Sequence, residues 1–132
     1  MEKLPAVEEA KALFEEAKDW GLWRWLLEKP RARRTADAAW DALAKYEKKV
    51  KGAWSAEQKK AFREDQALQR ADKKADQAHI DAEAQFDDAD RRLSASMARE
   101  GAQMAIDAWT MREKFIRKLE TFGRQQKEQS VR

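Results

Sequence analysis

The sequence lacks several residue types on which other protein classes depend. Its 132 residues include no cysteine, no asparagine, one histidine, two prolines and four glycines. The absence of cysteine excludes a disulfide framework and thiol chemistry, and the shortage of proline, glycine and asparagine leaves few residues that favour turns. No apolar run approaches the roughly 20 residues that a membrane span needs, and the first residues lack the pattern of a secretory signal. We therefore expect a cytoplasmic protein with few turns.

Residues typical of enzyme active sites are equally scarce. The chain has no glycine-rich phosphate loop and no serine in a nucleophile motif, and His79 is its only histidine. Asp76 and Glu83 share one side of a helix with His79, but a di-iron bundle needs two Glu-x-x-His motifs, and this chain has none. The sequence therefore predicts that the protein is not an enzyme and has no catalytic residues, no metal and no cofactor.

What the chain does contain is charge and alanine. Charged residues make up 40% of the sequence, with 28 basic and 25 acidic side chains and a net charge of +3. Alanine, leucine, glutamate, lysine and arginine all favour helix, so the composition predicts an all-α protein. Alanine buries little surface, which favours long helices that share narrow contacts over a thick globular core. The small net charge does not call for a nucleic-acid partner.

Local signals divide the first half of the chain into two shorter helices. Pro5 suits the first turn of a helix. The predicted helix covers residues 5–29, because Pro30 disfavours helical backbone at the residue before it. After a connection, Thr35 is a suitable N-cap for a second helix over residues 35–51. A glycine follows that helix, as is common at helix C-termini.

A capping box opens the third predicted helix. Ser55 is followed three residues later by Gln58, a pattern in which side chains and backbone satisfy each other at a helix N-terminus. With almost no helix-breaking residue beyond it, the third helix is expected to cover residues 55–122. The chain is thus expected to form one helical domain, residues 1–123, followed by a polar tail at 124–132.

An eleven-residue repeat runs through the third predicted helix from Ala71 to Phe122. Apolar residues occupy 14 of its 15 positions, which step by 4, 3 and 4, and Glu100 is the exception. Eleven residues over three turns keep an apolar stripe almost parallel to the helix axis. Gly101 is a candidate break or hairpin, but the stripe keeps its phase across that position. This phase favours a continuous helix.

The expected architecture is a coiled coil or helical bundle in which two shorter helices pack on one long alanine-rich helix. A second helix of about 17 residues covers only about 25 Å, so the stripe from residue 86 onward lacks a partner within the chain. We therefore predict a self-associating scaffold, an adaptor or a small regulatory subunit, which forms a homo-oligomer or binds another protein. The predicted interface residues are Phe86, Leu93, Met97, Met104, Trp109, Met111, Phe115 and Leu119.

An alternative function rests on the tryptophan-rich segment 20–27 and the basic residues that follow it. Tryptophan favours the membrane–water boundary and arginine attracts anionic lipid, so the pattern is also typical of a peripheral binder of a membrane or another hydrophobic surface. The simpler interpretation is that the rings fill the bundle core. The basic cluster also suits ion pairs with the acidic stretch 72–90, and it supports nucleic-acid binding only weakly. The candidate surface residues are Trp20, Trp23, Trp25, Arg31, Arg33 and Arg34.

Overall fold

The protein is almost entirely α-helical over the residues that its computed structural model describes, residues 2–131, with side chains described as far as residue 129. No strand is present within that range, so the predicted all-α fold class is confirmed. The five helices are α1 (Pro5–Ala17), α2 (Leu22–Gly52), α3 (Ala56–Glu64), α4 (Gln66–Arg92) and α5 (Ala95–Val131).

The central helix is α5, and α1, α2 and α4 all pack against it. Apolar residues are buried on more than one side of this helix: Trp109 and Ile116 lie on one side, and Ala108 and Phe115 on another. A helix that is apolar over so much of its surface belongs inside a bundle. Here the chain's own helices supply that bundle, so most of the apolar stripe of α5 is covered without a second molecule.

The helices alternate in direction along the bundle. Lys29 forms an ion pair with Asp90, and the ring of Trp40 stacks on that of His79. These contacts show that α2 runs antiparallel to α4. The C-terminal end of α4 therefore lies beside the first turns of α2, at the end of the bundle where α1 also finishes.

The helices α4 and α5 form an antiparallel hairpin where the sequence predicts one continuous helix, so that prediction was wrong. The chain reverses at Leu93, whose φ and ψ are both 47°. Ser94 then caps α5 by accepting a hydrogen bond from the Met97 N–H at 3.4 Å. The helix passes unbroken through Gly101, as the phase of the repeat across that glycine predicts. The break in the predicted long helix lies earlier, at Leu93. Each arm of the hairpin uses its apolar stripe to face the other arm.

A second break separates α3 from α4 at Asp65. Its carboxylate accepts a hydrogen bond from the Leu68 N–H at 2.9 Å and so caps α4. The predicted capping box is confirmed, because Ser55 Oγ accepts a hydrogen bond from the Gln58 N–H at 3.2 Å and Gln58 Oε1 accepts one from the Ser55 N–H at 2.7 Å. The box opens a helix of only nine residues and not a long one.

Pro30 lies inside α2, although the sequence predicts a connection over residues 30–34 and a first helix that reaches residue 29. The first helix instead ends at Ala17, and α2 runs through the proline. An internal proline costs a helix about 3 kcal/mol. Trp25 and Ala32, which flank it, are both 0% exposed. Their burial against other helices outweighs the local preference of the backbone.

The glycines of α5 mark close packing and not helix ends. A Cβ atom on Gly101 would lie 3.5 Å from the carbonyl oxygen of Gln85, so the backbones of α4 and α5 approach closely there. A Cβ atom on Gly123 would lie 2.7 Å from Nε1 of Trp54, whose ring covers the glycine. The helix continues through residues 124–131, which are not a separate polar tail. The final residue of that predicted tail lies outside the described range.

Candidate functional site

Large apolar side chains that contact water are concentrated at one end of the bundle. Within residues 2–131, the exposed fractions are 80% for Trp23, 81% for Leu27, 50% for Leu93 and 59% for Ile80. The first three lie at the end where α2 begins and α4 finishes, whereas Ile80 lies alone on α4. We refer to Trp23, Leu27 and Leu93 as the apolar tip. Because these three apolar side chains remain exposed to water, the apolar tip is the leading candidate for a binding surface.

The position of Trp23 follows from the two tryptophans beside it. Trp20 and Trp25 are buried, with ring centroids 6.4 Å apart, and the ring of Trp25 packs against Phe86 at 5.0 Å. These anchors fix the rotation of the first turns of α2. Trp23 then points away from the core, and Leu27 lies one turn further along the same outer face. Of the three tryptophans proposed as surface residues, only Trp23 is exposed.

Leu93 reaches this end of the bundle through the hairpin turn. Asp90, three residues earlier, pairs with Lys29 near the start of α2. Leu93 is the only non-glycine residue with a positive φ within the described range. The left-handed conformation costs an ordinary L residue roughly 1–2 kcal/mol, and glycine is the usual residue at such a helix end. Leu93 therefore combines a strained backbone conformation with an exposed apolar side chain.

The structure divides the basic cluster of residues 29–34 between two faces of α2. Lys29 and Arg33 point toward α4, where they pair with Asp90 and Asp87, the latter at 2.6 Å. The guanidinium of Arg33 also lies 4.8 Å from the ring centre of Phe86. This half of the cluster holds α2 against the acidic part of α4, as one of the sequence interpretations proposes.

The other half of the basic cluster lies on the outer face with the apolar tip. Arg31 and Arg34 follow Trp23 and Leu27 at intervals of four, four and three residues, which places all of them on one side of the helix. The sequence interpretation missed Leu27, although its position four residues after Trp23 would have indicated a shared face. It also missed Arg91 and Arg92, which immediately precede Leu93.

Four of the eight interface residues predicted from the eleven-residue repeat are buried by the chain itself. Phe86, Trp109, Phe115 and Leu119 are buried in the bundle. The half-buried members of the set are Met97, Met104 and Met111, and the exposed member is Leu93. The hairpin explains this outcome, because it brings α4 onto the stripe that a single long helix would leave open.

Arg112 is buried and is the centre of an ion-pair cluster, which is a candidate site on chemical grounds. Its guanidinium contacts the carboxylates of Asp72 at 3.1 Å and Glu47 at 3.4 Å, and it also pairs with Asp76. These partners come from α2 and α4, whereas Arg112 comes from α5. The cluster joins three helices, and its carboxylates pair with the arginine through both terminal nitrogens, which indicates a structural role.

The single histidine also has protein partners. The ring of His79 stacks on that of Trp40, with centroids 3.7 Å apart and planes 13° apart, and its Nε2 lies 2.9 Å from a Glu83 oxygen. Asp76, on the neighbouring turn, is bound to Arg112. Among residues 2–131, no group of three or more histidine, aspartate or glutamate side chains is arranged to hold a metal ion.

Comparison with known proteins gives no family for this chain. It matches no protein-family model, and no curated protein and no solved structure is significantly similar to it. Over residues 2–131, none of the helices combines the length and the apolar character that crossing a bilayer requires. The apolar tip and its surroundings are therefore the features of this chain that indicate a function.

Proposed function

We propose that this protein is a peripheral binder of lipid surfaces and that it docks through the apolar tip. The observation that carries the proposal is the exposure of Trp23 and Leu27 side by side on the outer face of α2. Tryptophan is the side chain best suited to the boundary between headgroups and acyl chains, because its ring is apolar and its N–H is polar. The alternative function of the sequence analysis is thus the one that the geometry favours.

The energy available from the apolar tip suits reversible docking. Full burial of one leucine-sized side chain contributes about 1.5–3 kcal/mol, so Trp23 and Leu27 together supply on the order of 3–5 kcal/mol. A single myristoyl chain gives only marginal membrane binding. The protein is therefore expected to exchange between the membrane surface and water.

The proposal can be tested by sedimentation of the full chain with phospholipid vesicles. The double variant Trp23→Ser with Leu27→Ser is expected to bind on the order of 100-fold more weakly, because it removes about 3 kcal/mol of apolar burial. Ile80→Ser is the matched control, since Ile80 is also exposed but lies outside the apolar tip. Unchanged binding by the double variant, or no binding by the natural sequence, would contradict the proposal.

Leu93 provides a second test, because its roles in stability and in binding oppose each other. Leu93→Gly is expected to increase the free energy of unfolding by about 1 kcal/mol through relief of the left-handed strain. The same change removes an apolar side chain from the tip and so weakens vesicle sedimentation. Leu93→Ala keeps the strain and should weaken binding without increasing stability. Urea unfolding followed by circular dichroism measures the first effect, and a less stable Leu93→Gly protein would refute it.

Self-association is a second candidate function, supported by three methionines of α5 that remain half-buried. Met97, Met104 and Met111 lie along the edge where α5 meets α4, and flexible thioether side chains adapt well to a partner. Light scattering over a range of concentrations tests the idea. If the mass exceeds the 15.4 kDa of one chain, Met104→Glu with Met111→Glu should restore it to that value. A constant mass of one chain would exclude this candidate.

A further inference from the structure

The residues on the outer face of α2 indicate which lipid headgroups the protein prefers. Trp23 and Leu27 are followed on this face by Arg31 and Arg34. Residues at these spacings share one side of a helix, so a bilayer that lies against the outer face of α2 meets all four side chains. The indole of Trp23 then reaches the boundary of the acyl chains, and the Arg31 and Arg34 guanidinium groups lie among the headgroup phosphates.

Both arginines are available to an external anion. Within the described residues Arg34 forms no ion pair. Arg31 pairs with Glu28 at 3.3 Å on an exposed surface, and such surface pairs contribute little to stability. Three nearby carboxylates already pair with other basic residues of α2: Glu16 pairs with Arg24, Asp90 with Lys29 and Asp87 with Arg33.

We infer that the apolar tip is selective for anionic phospholipid and that Arg31 and Arg34 contact its phosphate groups. This inference rests on the proposed lipid-binding function and adds the class of lipid. Arginine binds phosphate through two parallel N–H donors. Arg91 and Arg92, beside Leu93, add positive charge at the same end of the bundle. A nucleic acid would also supply phosphate, but it would leave Trp23 and Leu27 without an apolar environment.

The test compares vesicles of phosphatidylcholine alone with vesicles that also contain phosphatidylserine. The natural sequence is expected to prefer the anionic vesicles, and added salt should weaken that preference. Arg31→Gln with Arg34→Gln should reduce binding to anionic vesicles roughly 25-fold, which corresponds to about fivefold for each arginine near the surface. Binding to phosphatidylcholine alone should not change.

The matched control is Arg63→Gln with Arg70→Gln, on α3 and the start of α4. These exposed arginines lie at the opposite end of the bundle, so the control lowers the net charge equally without touching the outer face of α2. Circular dichroism establishes that both variants are folded. Loss of the preference in the Arg31 and Arg34 variant alone supports the inference.

Three outcomes would overturn the inferred selectivity for anionic phospholipid. They also distinguish its failure from a failure of the proposed lipid binding. Equal binding of the natural sequence to both kinds of vesicle would remove the headgroup selectivity but retain the apolar docking. An equal loss in both arginine variants would show that only overall charge matters. Absence of binding to either vesicle would remove both proposals, and salt-sensitive binding to a DNA duplex in its place would favour a nucleic-acid partner.

Discussion

Arg112 lies at a position where the packing of α2, α4 and α5 leaves it 8% exposed. A charge that is nearly removed from water is tolerated only when it is paired. Replacing Arg112 with methionine keeps an unbranched apolar stem but removes the guanidinium, so that Glu47, Asp72 and Asp76 lose their shared partner. We expect the free energy of unfolding to fall by about 2 kcal/mol, at or below the low end for a broken buried pair, because Asp76 is largely exposed. Urea denaturation measures this change.

Arg117→Met is the control for that experiment. Arg117 is exposed on the same helix, and substitutions at such positions usually change stability by less than about 0.5 kcal/mol. If the Arg112 and Arg117 variants lose the same stability, the buried cluster contributes nothing beyond overall charge.

Tyr46, the only tyrosine, makes stability depend on alkaline pH. Burial raises the pKa of its phenol above the ordinary 10.0; a hydrogen bond with the Glu2 backbone opposes this rise in part, and the Glu120 carboxylate adds to it. Near pH 10.0 the phenol ionises first in the unfolded chain. The stability that neutral Tyr46 contributes is therefore fully present below that pH, and it is lost as the pH rises through the pKa of the folded state.

The substitution Tyr46→Phe isolates this effect, because it removes the phenol hydroxyl and leaves every other ionisable side chain in place. Thermal unfolding between about pH 9 and pH 11 should show a smaller loss of stability in the variant than in the natural sequence. Parallel curves for the two proteins would mean that Tyr46 has the same pKa in the folded and unfolded states.

At the scale of whole helices, the two internal glycines of α5 allow opposite predictions for the same substitution. A Cβ atom at Gly101 meets Gln85 at an ordinary contact distance of 3.5 Å, so Gly101→Ala should stabilise the protein by about 1 kcal/mol through helix propensity. At Gly123 the Cβ atom would lie 2.7 Å from the buried Trp54 ring. Gly123→Ala should therefore cost on the order of 1–3 kcal/mol.

Urea denaturation of both variants checks this pair. The sign of the difference is the decisive quantity, because both changes add the same methyl group to the same helix. Stabilisation by both substitutions would show that Trp54 moves aside easily.

The sequence predicts helical structure well but places the reversals poorly. The capping box at Ser55 has a local signal and was found, whereas the turn at Leu93 has none, since leucine rarely adopts a positive φ. Pro30 has a strong local signal for a helix end, but the helix continues through it, because burial of other α2 residues offsets its local cost. Local chemistry is visible in a sequence, but its balance against tertiary packing is not.

The candidate site was partly predictable for the same reason. The segment 20–27 was recognised as unusual, but its tryptophans could not be sorted into core and surface after a connection was assumed at residue 30. Trp25, Ala32 and Ala39 are all buried at seven-residue intervals, which is the signal of one helical face. A continuous α2 would have revealed that Trp23 lies on the opposite side.

At the scale of the whole molecule, the hairpin shortens the protein. The longest helix, α5, spans about 55 Å, compared with about 100 Å for the continuous helix expected from the sequence. Small-angle scattering should give a radius of gyration of about 15–19 Å for a monomer, close to the value for compact domains. A value near about 28 Å would indicate the extended form.

The exposure of Trp23 has an optical consequence. Trp20, Trp25, Trp54 and Trp109 are buried and Trp40 is half-buried, so an aqueous quencher such as iodide reaches mainly one indole of the six. The quenchable part of the intrinsic fluorescence is in effect a label that the chain carries at the apolar tip. Any partner that covers this end, whatever its chemistry, should protect that emission and shift it to shorter wavelength.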